Sequence, residues 1–90
     1  MTLQKNIIIF PKGDVRKFHM PDVDEDKLEA FQTAVQGWIE TVGIPTHPDY
    51  IALVNEEGLI RDLDHNMSAS ILLDRPIKGN CLILAQEDFV

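Results

Sequence analysis

The chain has little with which to do chemistry. Of its 90 residues one is cysteine, Cys81, so no disulfide can close within it. That excludes a disulfide-stapled scaffold and fits a reducing compartment. Positive charge is scarce: eight Lys and Arg stand against fifteen Asp and Glu, for a net charge of −7. Direct nucleic-acid binding needs a basic face to displace counterions, and this balance argues against one. The apolar run inside Met1–Phe10, M-T-L-Q-K-N-I-I-I-F, is too short for a secretory signal or a membrane span. The expectation is a soluble cytoplasmic protein with no membrane partner. Glycines do not cluster into a phosphate-cradling loop; Gly37, Gly43, Gly58 and Gly79 stand alone. His19, His47, His65 and Cys81 show no metal-ligand spacing. Cys81 lies in an apolar run, where a thiol is usually inert packing, and Ser68 and Ser70 have no motif around them. No catalytic residue, metal or cofactor is expected, and the chain is read as a non-enzyme.

What is present is the pattern of one small mixed domain over residues 1–90. Asn6–Phe10 is β-branched and continuous, a buried strand ended by Pro11 and Gly13. Val15–Met20 alternates as a second, short strand. Pro21-Asp22-Val23-Asp24 reads as a helix entry, with Asp22 and Glu25 at capping-box spacing and Asp24 as the other candidate cap. The acidic run Asp22, Asp24, Glu25, Asp26 and Glu29 complements a helix dipole there. Leu28, Phe31, Val35 and Trp38 recur at helical spacing, widened by Ala30 and Ala34, which predicts an amphipathic helix over 24–36. Gly37 supplies its left-handed exit.

Strands follow at 38–42 and 50–54. Asn55-Glu56-Glu57-Gly58 has the composition of a type I turn returning the chain into Leu59-Ile60-Arg61, with the two glutamates at wet corners rather than in an acid–base pair. Asn66 caps a short helix to Leu73, with Ala69, Leu72 and Leu73 inward. Cys81–Ala85, apolar on both faces, is a central strand. The predicted class is α+β: a mixed or antiparallel sheet with one main amphipathic helix and one short helix on a face. So small a core favours a homodimer or higher homo-oligomer.

Three segments in order, Leu28–Glu40, Leu53–Gly58 and Asn66–Leu73, followed by Ile77-Lys78-Gly79-Asn80, resemble a family of small phage and mobile-element proteins carrying a domain of unknown function. The family pattern is Q-x-x-V-G-G-x-I-E, then N-E-x-G, N-x-x-A and a last I-x-G-D/N. Gln32, Val35, Gly37, Ile39, Glu40, Asn55, Glu56, Gly58, Asn66, Ala69 and Gly79 fall on it, while Gln36 stands where the family has glycine. The resemblance covers about residues 28–85. It implies a phage-type accessory role, with anti-defence proteins as the setting, and supplies no enzymatic activity.

Two functions from different classes remain open. In the first, the protein sequesters a small anionic ligand such as a signalling nucleotide, with Arg61, Lys78 and Asn66 on phosphates and Trp38 or Tyr50 stacking a base. In the second, it is an acidic inhibitor of a host protein, or a DNA mimic, using its surplus carboxylates. Trp38 has two readings of its own: packed in the core under the helix end, or exposed in a pocket or dimer face.

Overall fold

A computed structural model describes residues 3–89; Met1 and Thr2, which open the N-terminal stretch weighed above, and Val90 lie outside the described residues. The strands are β1 (Ile7–Ile9), β2 (Val15–Lys17), β3 (Ile39–Gly43), β4 (Tyr50–Asn55) and β5 (Cys81–Ala85). They form one sheet in the order β2-β1-β5-β4-β3, with every neighbouring pair antiparallel. A 3-10 turn at Asp24–Asp26 leads into α1 (Lys27–Val35); α2 (Met67–Leu73) precedes β5, and α3 (Gln86–Phe89) follows it. The fold is α+β.

The two main helices cover opposite faces of the sheet, where the sequence suggested one. Side chains alternate across a strand, and β4 and β5 are apolar at consecutive positions, so both faces need cover. Leu53, Leu82 and Leu84 pack with Phe31, Ala34 and Val35 of α1. Ala52, Val54, Cys81 and Ile83 pack with Ala69 and Leu73 of α2. β5, third of the five strands, is buried along its whole length. Phe18 and Phe89 flank Phe31, with ring centroids 6.0 and 6.1 Å away, and close the α1 side.

Four local expectations need correction. The α1 entry uses neither Asp22 nor Asp24 as a side-chain cap; Val23 precedes the 3-10 turn and Asp26 precedes α1, and neither makes a side-chain capping bond. The carboxylates of this turn therefore act through the helix dipole and, at Asp24, through an ion pair with Lys27. The α1 exit is Gln36, at φ 64°, rather than Gly37. Gly37 is required for another reason: a Cβ on it would lie 2.7 Å from Asn55 Nδ2 and 3.2 Å from an Arg61 nitrogen. Leu28 and Trp38, counted in the helix stripe, are 54% and 65% exposed. Trp38 falls just outside β3, so its core reading is set aside. Last, Leu59-Ile60-Arg61 is not a returning strand. Successive turn bonds, Gly58 N to Asn55 O, Arg61 N to Glu57 O and Leu63 N to Gly58 O, wind residues 56–63 into a projecting loop.

Candidate functional site

One end of the sheet gathers most of the polar residues singled out from the sequence. β1 and β4 leave there, and β3 and β5 enter. The carboxyl end of α1 also points there, and its last carbonyls lack partners within the helix. Side chains from three distant segments supply them. Asn55 Nδ2 donates to Val35 O (3.1 Å) and Gln36 O (3.2 Å), Arg61 donates to Gln36 O (3.1 Å), and Asn80 Nδ2 donates to Ala34 O (3.0 Å). Asn55 also accepts from Glu57 N at 2.8 Å, which sets the turn. Gly58 lets that turn press on the next segment, since a Cβ there would meet Lys78 O at 2.7 Å.

Asn66 fastens the other face. It caps α2 by accepting from Ala69 N (3.0 Å), and its Nδ2 donates to Ile9 O (3.0 Å) and Gly79 O (2.8 Å). It is fully buried. Ser70 Oγ extends the clasp, donating to Asn66 O and accepting from Ile77 N. Asn66 thus has every hydrogen-bonding atom of its side chain engaged inside the fold and presents none to a ligand.

The other residues expected to bind fall into two groups. Trp38, Arg61 and Lys78 lie at this loop end, whereas Tyr50 begins β4 at the opposite end of the sheet, its ring stacked on His47 at 5.9 Å. Lys78 is bound to Asp62 at 2.6 Å. That hydrogen bond, and then the lysine charge, hold the Asp62 carboxyl below its ordinary range. Lys78 is thereby already engaged by a carboxylate. Arg75 pairs with Glu40 at 3.6 Å. Arg61 makes no ion pair among the described residues. Its guanidinium is exposed, steadied on Gln36 O two residues before Trp38.

Beside this ledge lies a cleft of about 410 Å³, lined in part by Phe10, Lys12, Gln36, Asp62, Asp64 and Asn80. Asp14 also reaches it, so its charge is mostly negative and disfavours an anion. Glu56 and Glu57 are both exposed at the turn. Burial pushes the Cys81 thiol up to about 12, so it carries no thiolate at neutral pH. Among the described residues no group of three or more His, Cys, Asp or Glu side chains is arranged to hold a metal ion, and no helix is long and apolar enough to cross a membrane.

Sequence reasoning missed Leu59 and Ile60, which are 62% and 85% exposed on the loop carrying Arg61. A pair of apolar residues after a turn looks like a strand, and only the winding of the loop shows otherwise.

Comparison with family models matches residues 5–90 to a domain of unknown function, DUF3846, and the chain belongs to that family. The match extends the resemblance from residues 28–85 to nearly the whole chain. Neither curated proteins nor solved structures give a match.

Proposed function

We propose that the chain is a non-enzymatic binding protein that sequesters a small anionic ligand bearing a flat ring, a nucleotide-type molecule, on the Trp38–Arg61 ledge. One observation carries the reading: an exposed guanidinium, with no ion pair among the described residues, is steadied on the Gln36 carbonyl at the helix end, two residues before the exposed Trp38. Arginine binds phosphate bidentately, and an indole face stacks a base. Because the Gln36 contact already positions Arg61, less side-chain freedom is lost on binding. Lys78 and Asn66 are left out, the first ion-paired with Asp62 and the second buried. The phage-type, anti-defence setting belongs to this proposal through the resemblance alone.

The test is a thermal-shift panel of linear and cyclic nucleotides, read together with Trp38 fluorescence. A ligand at a hundredfold excess over its Kd should stabilise the fold by about 2.7 kcal/mol. Trp38→Ala and Arg61→Gln should abolish the shift. No stabilisation by any nucleotide at millimolar concentration removes the reading.

A second reading, a protein-binding inhibitor, is favoured by a different observation. Asp22, Asp24, Glu25, Asp26 and Glu29 are all exposed around the α1 entry, and among the described residues Asp24 alone of these is ion-paired, with Lys27 at 3.0 Å. Salt-sensitive capture of one host protein, lost when these residues become Asn or Gln, would support it over the nucleotide reading.

A further inference from the structure

The two edges of the sheet are built differently. β2 is three residues long and carries Arg16 and Lys17, and short, charged edges resist pairing. β3 is five residues long, I-E-T-V-G, with no lysine or proline. Its outer backbone is a ready template for another strand.

The register fixes which groups face outward. β3 pairs with β4 as Ile39↔Asn55, Thr41↔Leu53 and Gly43↔Ile51, and Glu56 N donates to Trp38 O at 2.8 Å in the same register. In an antiparallel ladder, pairs that exchange both hydrogen bonds alternate with pairs that exchange none. Trp38, Glu40 and Val42 therefore bond to β4. Ile39, Thr41 and Gly43 turn their N–H and C=O groups to the open edge.

We propose that β3 is the seam of a homodimer, in which two copies pair β3 with β3 antiparallel about a two-fold axis through Thr41. Only outward residues can bond to outward residues, so few symmetric registers exist. An axis at Glu40 sets two Glu40 carboxylates directly opposite each other, a repulsive cross-strand pair. An axis at Val42 brings Ile39 opposite Pro45, which has no N–H to donate. The Thr41 axis avoids both. Thr41 meets Thr41, and Ile39 meets Gly43 twice, with two hydrogen bonds at each pair. Glu40 then faces Val42 rather than its own copy. The side chains fit as well: a Cβ placed on Gly43 has nothing within 4 Å, leaving room for the half-buried Ile39 of the other copy. This self-complementarity selects a second copy of the chain over a foreign strand, and it is what an isologous interface requires.

Sedimentation equilibrium from low micromolar to submillimolar concentration should show a mass rising from 10.2 kDa towards twice that value. Thr41→Pro should raise the dimer Kd at least tenfold while leaving the circular dichroism unchanged, because the lost N–H faces solvent in the single chain. Thr41→Cys should cross-link the copies on mild oxidation. A hydrogen-bonded antiparallel pair has Cα atoms about 5.5 Å apart, within disulfide reach. Glu40→Cys should not cross-link, and buried Cys81 takes no part. If Thr41→Pro loses its fold, the two cysteine variants still decide. A wild-type protein monomeric throughout, a dimer that survives in folded Thr41→Pro, or equal cross-linking of both cysteine variants would overturn the proposal.

Discussion

Asn66→Ala should be among the most damaging single substitutions in this chain, and its cost can be worked from the structure. The side chain is fully buried and makes three hydrogen bonds, to Ala69 N, Ile9 O and Gly79 O. Loss of a helix cap costs about 1 kcal/mol. Each buried carbonyl stripped of its partner costs about 1–3 kcal/mol more. Allowing partial relaxation, the sum is roughly 3–5 kcal/mol. A domain this size has about 5–13 kcal/mol in all, so roughly a quarter of the stability or more should go. The assay is equilibrium urea unfolding, with the slope unchanged and the midpoint lowered. Asn66→Asp separates the contributions. It keeps the cap acceptor but turns a carboxylate towards two carbonyl oxygens in a buried site. Burial raises its folded pKa above the unfolded value of about 3.9. The folded state then binds the proton more tightly, so this variant should lose stability as pH rises from about 4 towards that raised pKa. A loss below about 1 kcal/mol for Asn66→Ala would refute the view that this clasp holds α2 and β1 together.

Three further outcomes are expected. Gly37→Ala and Gly58→Ala should each destabilise by about 1–3 kcal/mol, because a Cβ would sit 2.7 Å from Asn55 Nδ2 or from Lys78 O, while Gly43→Ala, in open space, should be near neutral; urea midpoints check all three. Cys81 should resist thiol reagents in the native state, with labelling that follows unfolding. Its thiol ionises near 9 when unfolded and at about 12 when folded, so the unfolded chain releases its proton first. Stability should fall as pH rises through that window by up to about 4 kcal/mol, a slope that Cys81→Ala should remove in pH-dependent urea titrations.

The sheet's centre was legible because burial on both faces writes a continuous apolar run, as at Cys81–Ala85. The Asn66 cap was legible because capping acts over three residues and needs no knowledge of the rest. Features that depend on distant partners were not. Nothing near Gly37 in sequence reveals that Asn55 and Arg61 crowd it. Nothing near Asn66 reveals that its amide reaches Ile9, 57 residues away. Trp38 shares the helical period of Phe31 and Val35, but the helix ends at Gln36 before that period can bury it. Leu28 has the right spacing too, yet the covered face is set by Phe31, Ala34 and Val35. At the candidate site, Arg61 and Lys78 look alike in sequence. An aspartate sixteen positions from the lysine distinguishes them.

The same contrast indicates where function can reside. Asn55, Gly58, Asn66, Gly79 and Asn80 are the residues that make this sequence look like more than an ordinary small domain. Asn55, Asn66 and Asn80 spend their side chains on backbone atoms of other elements. Gly58 and Gly79 allow close contacts that a Cβ would block, with Lys78 O and with Leu63. A side chain already bonded within the fold cannot also grip a ligand without loosening the fold. On the proposed reading, recognition falls to what the fold holds in place without consuming it: the guanidinium of Arg61, which keeps donors free beyond its one bond to Gln36 O, the indole of Trp38, and the outward backbone of β3. If that division is right, Trp38→Ala and Thr41→Pro should leave urea stability of the single chain within about 1 kcal/mol of wild type while removing binding and pairing respectively. Large destabilisation by Trp38→Ala would place that residue among the fasteners and leave the ledge without its stacking surface.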